Sequence, residues 1–121
     1  MTEGQNPKQY DLEDRTLAFA KAVRAFVKNL KRTICNIEDG RQLVKASGSV
    51  GANYIEANEA LSKKDFRMRV KISRKESKES RYWLRLVDTY GDNRQERMRQ
   101  ELIQEATELM RILGTILHKS E

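Results

Sequence analysis

From Ser62 to Gly91 the chain separates its charges and its apolar residues onto different faces of one long helix. Phe66, Val70, Ser73, Ser77, Ser80, Leu84 and Val87 recur at steps of three and four, the spacing of a face that packs inward. Lys63, Arg67, Lys71, Arg74, Lys78, Arg81 and Arg85 repeat with the same period about 100° away. Ile72, Glu76, Glu79, Trp83 and Leu86 fall on the opposite flank and form a mixed apolar and acidic edge. A solvated helix face ordinarily places an acid four residues from each base. This cationic row contains no acid at all.

A chain that carries such a helix must bury its inner edge against others, and the remaining sequence supplies them. The 121 residues suffice for one domain with one core. Proline occurs once, at Pro7, and the abundance of Ala, Leu, Glu, Lys and Arg at helical spacing predicts an all-α protein. A formal charge of +6 favours anionic partners, nucleic acid first and an anionic membrane surface second. The plainer alternative is a soluble surface that is simply basic. The single cysteine, Cys35, has no partner for an intramolecular disulfide, which suits a reducing compartment. No apolar run approaches the roughly 20 residues of a membrane span. Met1–Lys8 is polar and lacks the look of a secretion signal, so a cytoplasmic location is expected.

Residues 1–10 read as a polar tail and residues 11–121 as the bundle. The first helix is expected from about Asp11 toward Arg32, with Leu12, Phe19, Val23, Phe26 and Leu30 inward. Ala20, Val27 and Ile34 widen that stripe, and Lys21, Arg24, Lys28 and Lys31 cover the outer side. The first turn is placed at Asn36–Gly40, with Asn36 and Asp39 as cap candidates. The second helix carries Leu43, Val50, Tyr54 and Leu61 inward. Its glycines, Gly48 and Gly51, either break it or let a neighbouring backbone approach closely. The row Val44, Gly48, Gly51 and Ile55 favours close approach and marks an interface on a second side of that helix. Ser62 with Asp65 resembles a capping box, and Gly91 is the expected left-handed cap that ends the third helix. Asn93 with Glu96 opens the fourth, whose inward row is Met98, Leu102, Ala106, Leu109, Leu113 and Ile116. Short turns between long amphipathic helices predict an antiparallel up-down-up-down four-helix bundle.

Catalytic chemistry finds little support. A carboxylate-bridged metal centre in a bundle needs Glu-x-x-His on two helices, and the one histidine is His118. Cys35 has no histidine nearby in sequence and reads as a buried structural thiol. No phosphate-cradling loop follows a strand, so no enzyme, metal, cofactor or small-molecule substrate is expected. Asn53, Glu56, Glu76 and Glu79 form a candidate polar network that pairs with bases of an adjacent helix or subunit. Trp83, Tyr82 and Tyr54 are aromatic enough to stack on bases, although Trp83 among Leu84 and Leu86 fits core or subunit contact better. The cationic row remains the strongest functional signal. Phosphate contact and pairing across a subunit interface both account for it.

Certain runs are more specific than periodicity requires. Cys35-Asn36-Ile37-Glu38-Asp39-Gly40, Ser47 through Ala60, Arg74 through Leu86 and Glu105-Ala106-Thr107-Glu108-Leu109 closely resemble the small bacterial four-helix-bundle proteins encoded within intervening sequences of 23S ribosomal RNA genes. The resemblance covers about the last three quarters of the chain. It implies a single antiparallel bundle, helical straight through Gly48 and Gly51, and a homopentameric ring without catalytic residues. The family is similar in fold to the accessory variability proteins of diversity-generating retroelements, basic pentamers that bind nucleic acid and a reverse transcriptase. In other members the pattern Ser-Ile-Pro-Ala-Asn-Ile-Ala-Glu-Gly maps onto Ser49–Ala57. Here Gly51 replaces the proline, Ala57 the glycine, and Tyr54-Ile55 stands for Ile-Ala, which places this chain in a sub-branch. The combined expectation is a non-catalytic homo-oligomer that binds RNA or DNA through Arg67, Lys71, Arg74, Lys78, Arg81 and Arg85. The alternative is an interaction scaffold whose basic edge meets acidic groups of a partner protein or a neighbouring subunit.

Overall fold

Thr33, Ser62 and Asp92 each begin a helix in the same way. Each side-chain oxygen accepts the backbone N–H three residues on, from Asn36 at 3.1 Å, Asp65 at 3.0 Å and Gln95 at 3.0 Å. These bonds satisfy donors that a helix start otherwise leaves without partners. In the computed structural model, which describes residues 12–121, they delimit four helices. These are α1 (Leu12–Lys28), α2 (Ile34–Asn58), α3 (Lys63–Leu86) and α4 (Asn93–Lys119), with no strand among the described residues. The expected tail at residues 1–10 lies outside the described residues. None of the four helices is long and apolar enough to cross a membrane.

Each helix turns one stripe inward. Phe19, Val23 and Phe26 of α1, Leu43 and Val50 of α2, Val70 and Leu84 of α3, and Ala106, Leu109 and Leu113 of α4 are all buried. The inner edge expected of the third helix is the observed one, with Val70, Ser73, Ser77, Ser80, Leu84 and Val87 buried and Phe66 packed against the core. The most extensive packing lies between α2 and α3, where small residues face the neighbouring helix. Ser73 donates its hydroxyl proton to the Val50 carbonyl of α2 at 2.7 Å, while Ser77 and Ser80 bond to carbonyls one turn back on their own helix. Serine therefore serves here as a small core residue whose hydroxyl is fully used. α2 packs on α3, α3 on α4, α1 on α2, and α1 less extensively on α4, whereas α1 and α3 lie across the bundle from one another.

Helical continuity through Gly48 and Gly51 is observed, and its cause is local to the chain. A Cβ at Gly51 would fall 2.8 Å from Thr16 Oγ1 of α1, and one at Gly48 would touch the Arg24 guanidinium at 3.4 Å. The missing side chains are what let α1 and α2 cross closely, offsetting the roughly 1 kcal/mol each interior glycine costs.

Several local expectations are corrected. α1 stops at Lys28, and the first turn precedes Thr33 rather than occupying Asn36–Gly40. Asn36 and Gly40 are buried inside α2, Gly40 because a Cβ there would stand only 3.1 Å from Val27 Cγ1. That glycine marks a close crossing, not a turn. Ile34 opens α2 and is 82% exposed, Cys35 beside it is exposed rather than buried, and Leu61, 99% exposed, lies in the turn after α2. Gly91 does take a positive φ of 75°, but α3 has already ended at Leu86, with Val87 extended. Asp92, one residue earlier than expected, caps α4.

Candidate functional site

The cationic row of α3 divides into two groups when placed in three dimensions. Arg67 and Arg81 lean over the α3–α4 seam. Arg67 Nη1 donates to the Leu117 carbonyl at 2.6 Å and to Ser120 Oγ at 2.7 Å, capping the end of α4. Arg81 Nη1 donates to Thr107 Oγ1 at 3.3 Å. Arg74 remains exposed, its guanidinium passing beside Gly114. Lys63, Lys71, Lys78 and Arg85 are exposed. Among the described residues, none of the seven forms an ion pair with a carboxylate. Two arginines are thus engaged in holding α4, and the other five bases of the row stay exposed.

The acids that might have met these bases sit elsewhere. Glu105 and Glu108 face α1, where Arg15 binds them at 2.7 Å each and has its own pKa raised by the Glu105 bond above all. Glu96 is held by Arg99, Gln100 and Thr89, and its carboxyl is pulled down to about 2, chiefly by the Arg99 bond. Arg99 also donates to the carbonyls of Leu84 and Val87 and so closes the end of α3. Arg67 and Arg99 are reciprocal: each stands near the start of its own helix and satisfies the last carbonyls of the other.

Asn53, Glu56, Glu76 and Glu79 do not form one network. Asn53 accepts from Arg69 at 3.1 Å and donates to the Ser49 carbonyl, while Glu56 points to solvent. Glu76 and Glu79 line a shallow cleft of about 160 Å³ on the α2–α3 face with Gln42, Lys45, Ser49 and Lys75. Burial is the main cause that raises the Glu76 pKa, with Glu79 adding and Lys75 and Lys45 opposing. Glu79 pairs with Lys75 of its own helix at 3.8 Å, and among the described residues neither Glu76 nor Glu79 forms an ion pair to a neighbouring helix. Among the described residues no three histidine, cysteine or acidic side chains converge to hold a metal ion.

The interface row is also divided. Gly48 and Gly51 are covered by α1 of the same chain, Val44 is half-buried, and Ile55 is 45% exposed. Trp83 packs partly against the core and meets Tyr82 edge-on at 5.0 Å, leaving Tyr82 exposed. Leu86, one turn on, and Met68, two heptads before Tyr82, are exposed on the same side of α3, with the Lys75–Glu79 ion pair between Met68 and Tyr82.

Sequence reasoning missed Asn36, Arg99 and Arg15. Asn36 had a readable signal: it lies four and seven residues before Gly40 and Leu43, on the inward period of α2. Arg15 had none, because its partners are distant in sequence, whereas Arg99 had the i,i+3 spacing to Glu96 but nothing local to mark its bonds to the carbonyls of Leu84 and Val87.

What these elements define is an all-helical bundle whose third helix carries a basic row with no ion-paired carboxylate among the described residues. The sequence profile described as 23S rRNA-intervening sequence protein matches residues 8–115, and the chain belongs to that family. It is similar to a protein of unknown function from the S23 ribosomal protein family of Bacteroides thetaiotaomicron. The two share 29% identity with a TM-score of 0.71, over 87% of this chain and 96% of that one. No curated protein matches the sequence.

Proposed function

We propose that the chain is a non-catalytic, cytoplasmic bacterial protein that binds the phosphate backbone of RNA or DNA through the exposed bases of α3. In this reading the helices run in antiparallel up-down-up-down order and the chain assembles as a homo-oligomer, a pentamer as the family resemblance implies. The observation that carries the reading is the absence of any acid paired with the α3 row among the described residues. Lys71, Arg74, Lys78 and Arg85 supply exposed charges, so binding is largely independent of sequence.

The second reading, a protein scaffold whose basic edge meets acidic groups of a subunit or partner, is favoured by the exposed apolar side chains of Tyr82 and Leu86, one turn apart on the same helix. Replacing Arg74→Glu and Lys78→Glu separates the two, because among the described residues neither side chain forms an ion pair that holds the fold together. A gel-shift series across salt, with mass by light scattering, is the test. Lost nucleic-acid binding in an unchanged assembly supports the first reading. Dissociation of the assembly supports the second, and wild-type binding that ignores salt overturns the first.

A further inference from the structure

We propose that α1 presents a second phosphate-binding face, so that one chain holds two segments of nucleic-acid backbone at once. This rests on the nucleic-acid reading above and extends it to a surface which that reading does not use. Between Asp14 and Glu38 the sequence contains no acid, while it contains Arg15, Lys21, Arg24, Lys28, Lys31 and Arg32. Arg15 is committed to Glu105 and Glu108, and Lys31 lies over the Tyr90 ring at 4.6 Å. Arg32 lies beyond the end of α1, and Lys21, Arg24 and Lys28 remain on the helix, all exposed and spaced so that they share one face.

Three further observations shape that face. Ala18, Ala22 and Ala25 are exposed alongside it and the exposed Leu17 stands one turn before Lys21, so small side chains flank the bases toward the Lys28 end and an extended backbone can lie close there. Gly48 of α2 leaves room for the Arg24 guanidinium, and Arg24 Nη1 donates to the Ala20 carbonyl at 3.2 Å, which lays the group flat across the α1–α2 seam. Arg41 of α2 is exposed at the same level, since the adjacent Gly40 sits under Val27. The nearest acids in sequence, Asp14, Glu38 and Asp39, form no ion pair with any of these bases among the described residues. Charge complementarity therefore selects a polyanion, and the open, extended shape selects a nucleic-acid strand over a small anion. Because α1 and α3 do not pack on one another, this face and the α3 face lie on different sides of the bundle.

The test compares four full-length proteins: wild type, the α1 triple (Lys21→Glu, Arg24→Glu, Lys28→Glu), the α3 pair (Arg74→Glu, Lys78→Glu) and their combination. Circular dichroism and light scattering verify that fold and assembly are retained, and a Lys21→Gln, Arg24→Gln, Lys28→Gln triple replaces the first if charge reversal impairs folding. The probe is a single-stranded oligoribonucleotide of about 20 nucleotides, titrated at stoichiometric concentration and across salt. The expected result is that the α1 triple halves the strands bound per chain and lowers the salt slope by roughly two units. The α3 pair keeps a residual affinity that the combination removes. An α1 triple with wild-type stoichiometry and slope overturns the second face. So does an α3 pair that has lost all binding, which leaves the first face standing. A wild type that binds no RNA overturns both readings. Retention of the α1 face by vesicles of about one third phosphatidylserine, with RNA binding unaffected by the triple, overturns this proposal in favour of a lipid surface.

Discussion

Asn36, in the first turn of α2, and Asp88, in the loop after α3, exchange two hydrogen bonds through one side-chain amide. Asn36 Nδ2 donates to the Asp88 carbonyl at 2.9 Å, and the Asp88 N–H donates to Asn36 Oδ1 at 2.9 Å. The same Nδ2 also donates to the Lys31 carbonyl at 3.0 Å, so one buried residue ties both connections at that end of the bundle. Replacing Asn36→Ala strands backbone groups of Lys31 and Asp88, and a loss of about 2–3 kcal/mol is expected. Urea unfolding reads it directly. A midpoint unchanged from wild type removes the clamp as a stabilising device.

Gly51 and Gly114 both lie in helix interiors, yet substitution by alanine is expected to act in opposite senses. At Gly51 the new Cβ would meet Thr16 Oγ1 at 2.8 Å, so α1 must shift, at a cost of about 1–3 kcal/mol that outweighs the gain in helix propensity. At Gly114 the nearest atom is Arg74 Nη1 at 3.8 Å, an ordinary contact, and Gly114→Ala should stabilise by up to about 1 kcal/mol. Thermal melts of the two variants against wild type check the signs.

The two shifted carboxylates give pH dependences of opposite direction. Glu96 has a folded pKa of about 2, below that of the unfolded chain, so its stabilisation is complete above the ordinary carboxylate range and is lost as pH falls toward 2. Wild type should therefore lose more stability than Glu96→Gln between pH 5 and pH 2. Glu76 has its folded pKa raised, so its ionised form disfavours the fold as pH rises through that value. Glu76→Gln should accordingly gain on wild type at neutral pH and match it more closely in acid. Urea unfolding at a series of pH values tests both, and equal slopes for the variants and wild type contradict the assignment.

Within the α3 row, Arg67 and Lys71 should separate stability from binding. Arg67→Ala removes two bonds at the end of α4 and is expected to destabilise by about 1–3 kcal/mol. Lys71→Ala removes an exposed charge, so stability should move by less than about 0.5 kcal/mol. Its expected effect is a salt slope shallower by about one unit in nucleic-acid binding. Unfolding and gel-shift series on the same pair of proteins distinguish the two roles.

The inner edges of all four helices were readable because burial repeats with the helical period, and a residue such as Val70 or Leu109 has neighbours three and four positions away that announce the same face. Turns were less readable. Asn36 and Gly40 look like turn residues by type, but their type answers to a partner element: Gly40 to Val27, Asn36 to Asp88. The candidate site was legible as a row of charge and not as a set of roles. Nothing local marks Arg67 as a cap for α4 and Lys71 as exposed, since the two occupy equivalent positions one turn apart.

The sequence by itself determined the helical class, the faces that pack and the run of bases without intervening acids, because these follow from periodicity and from which charges lie within a turn of each other. Only the tertiary structure decided where each glycine, amide and guanidinium is used. Those uses depend on contacts between residues far apart along the chain, such as Gly51 with Thr16 and Arg67 with Leu117. A side chain's chemistry travels with the sequence, but its partner is chosen by how the helices cross.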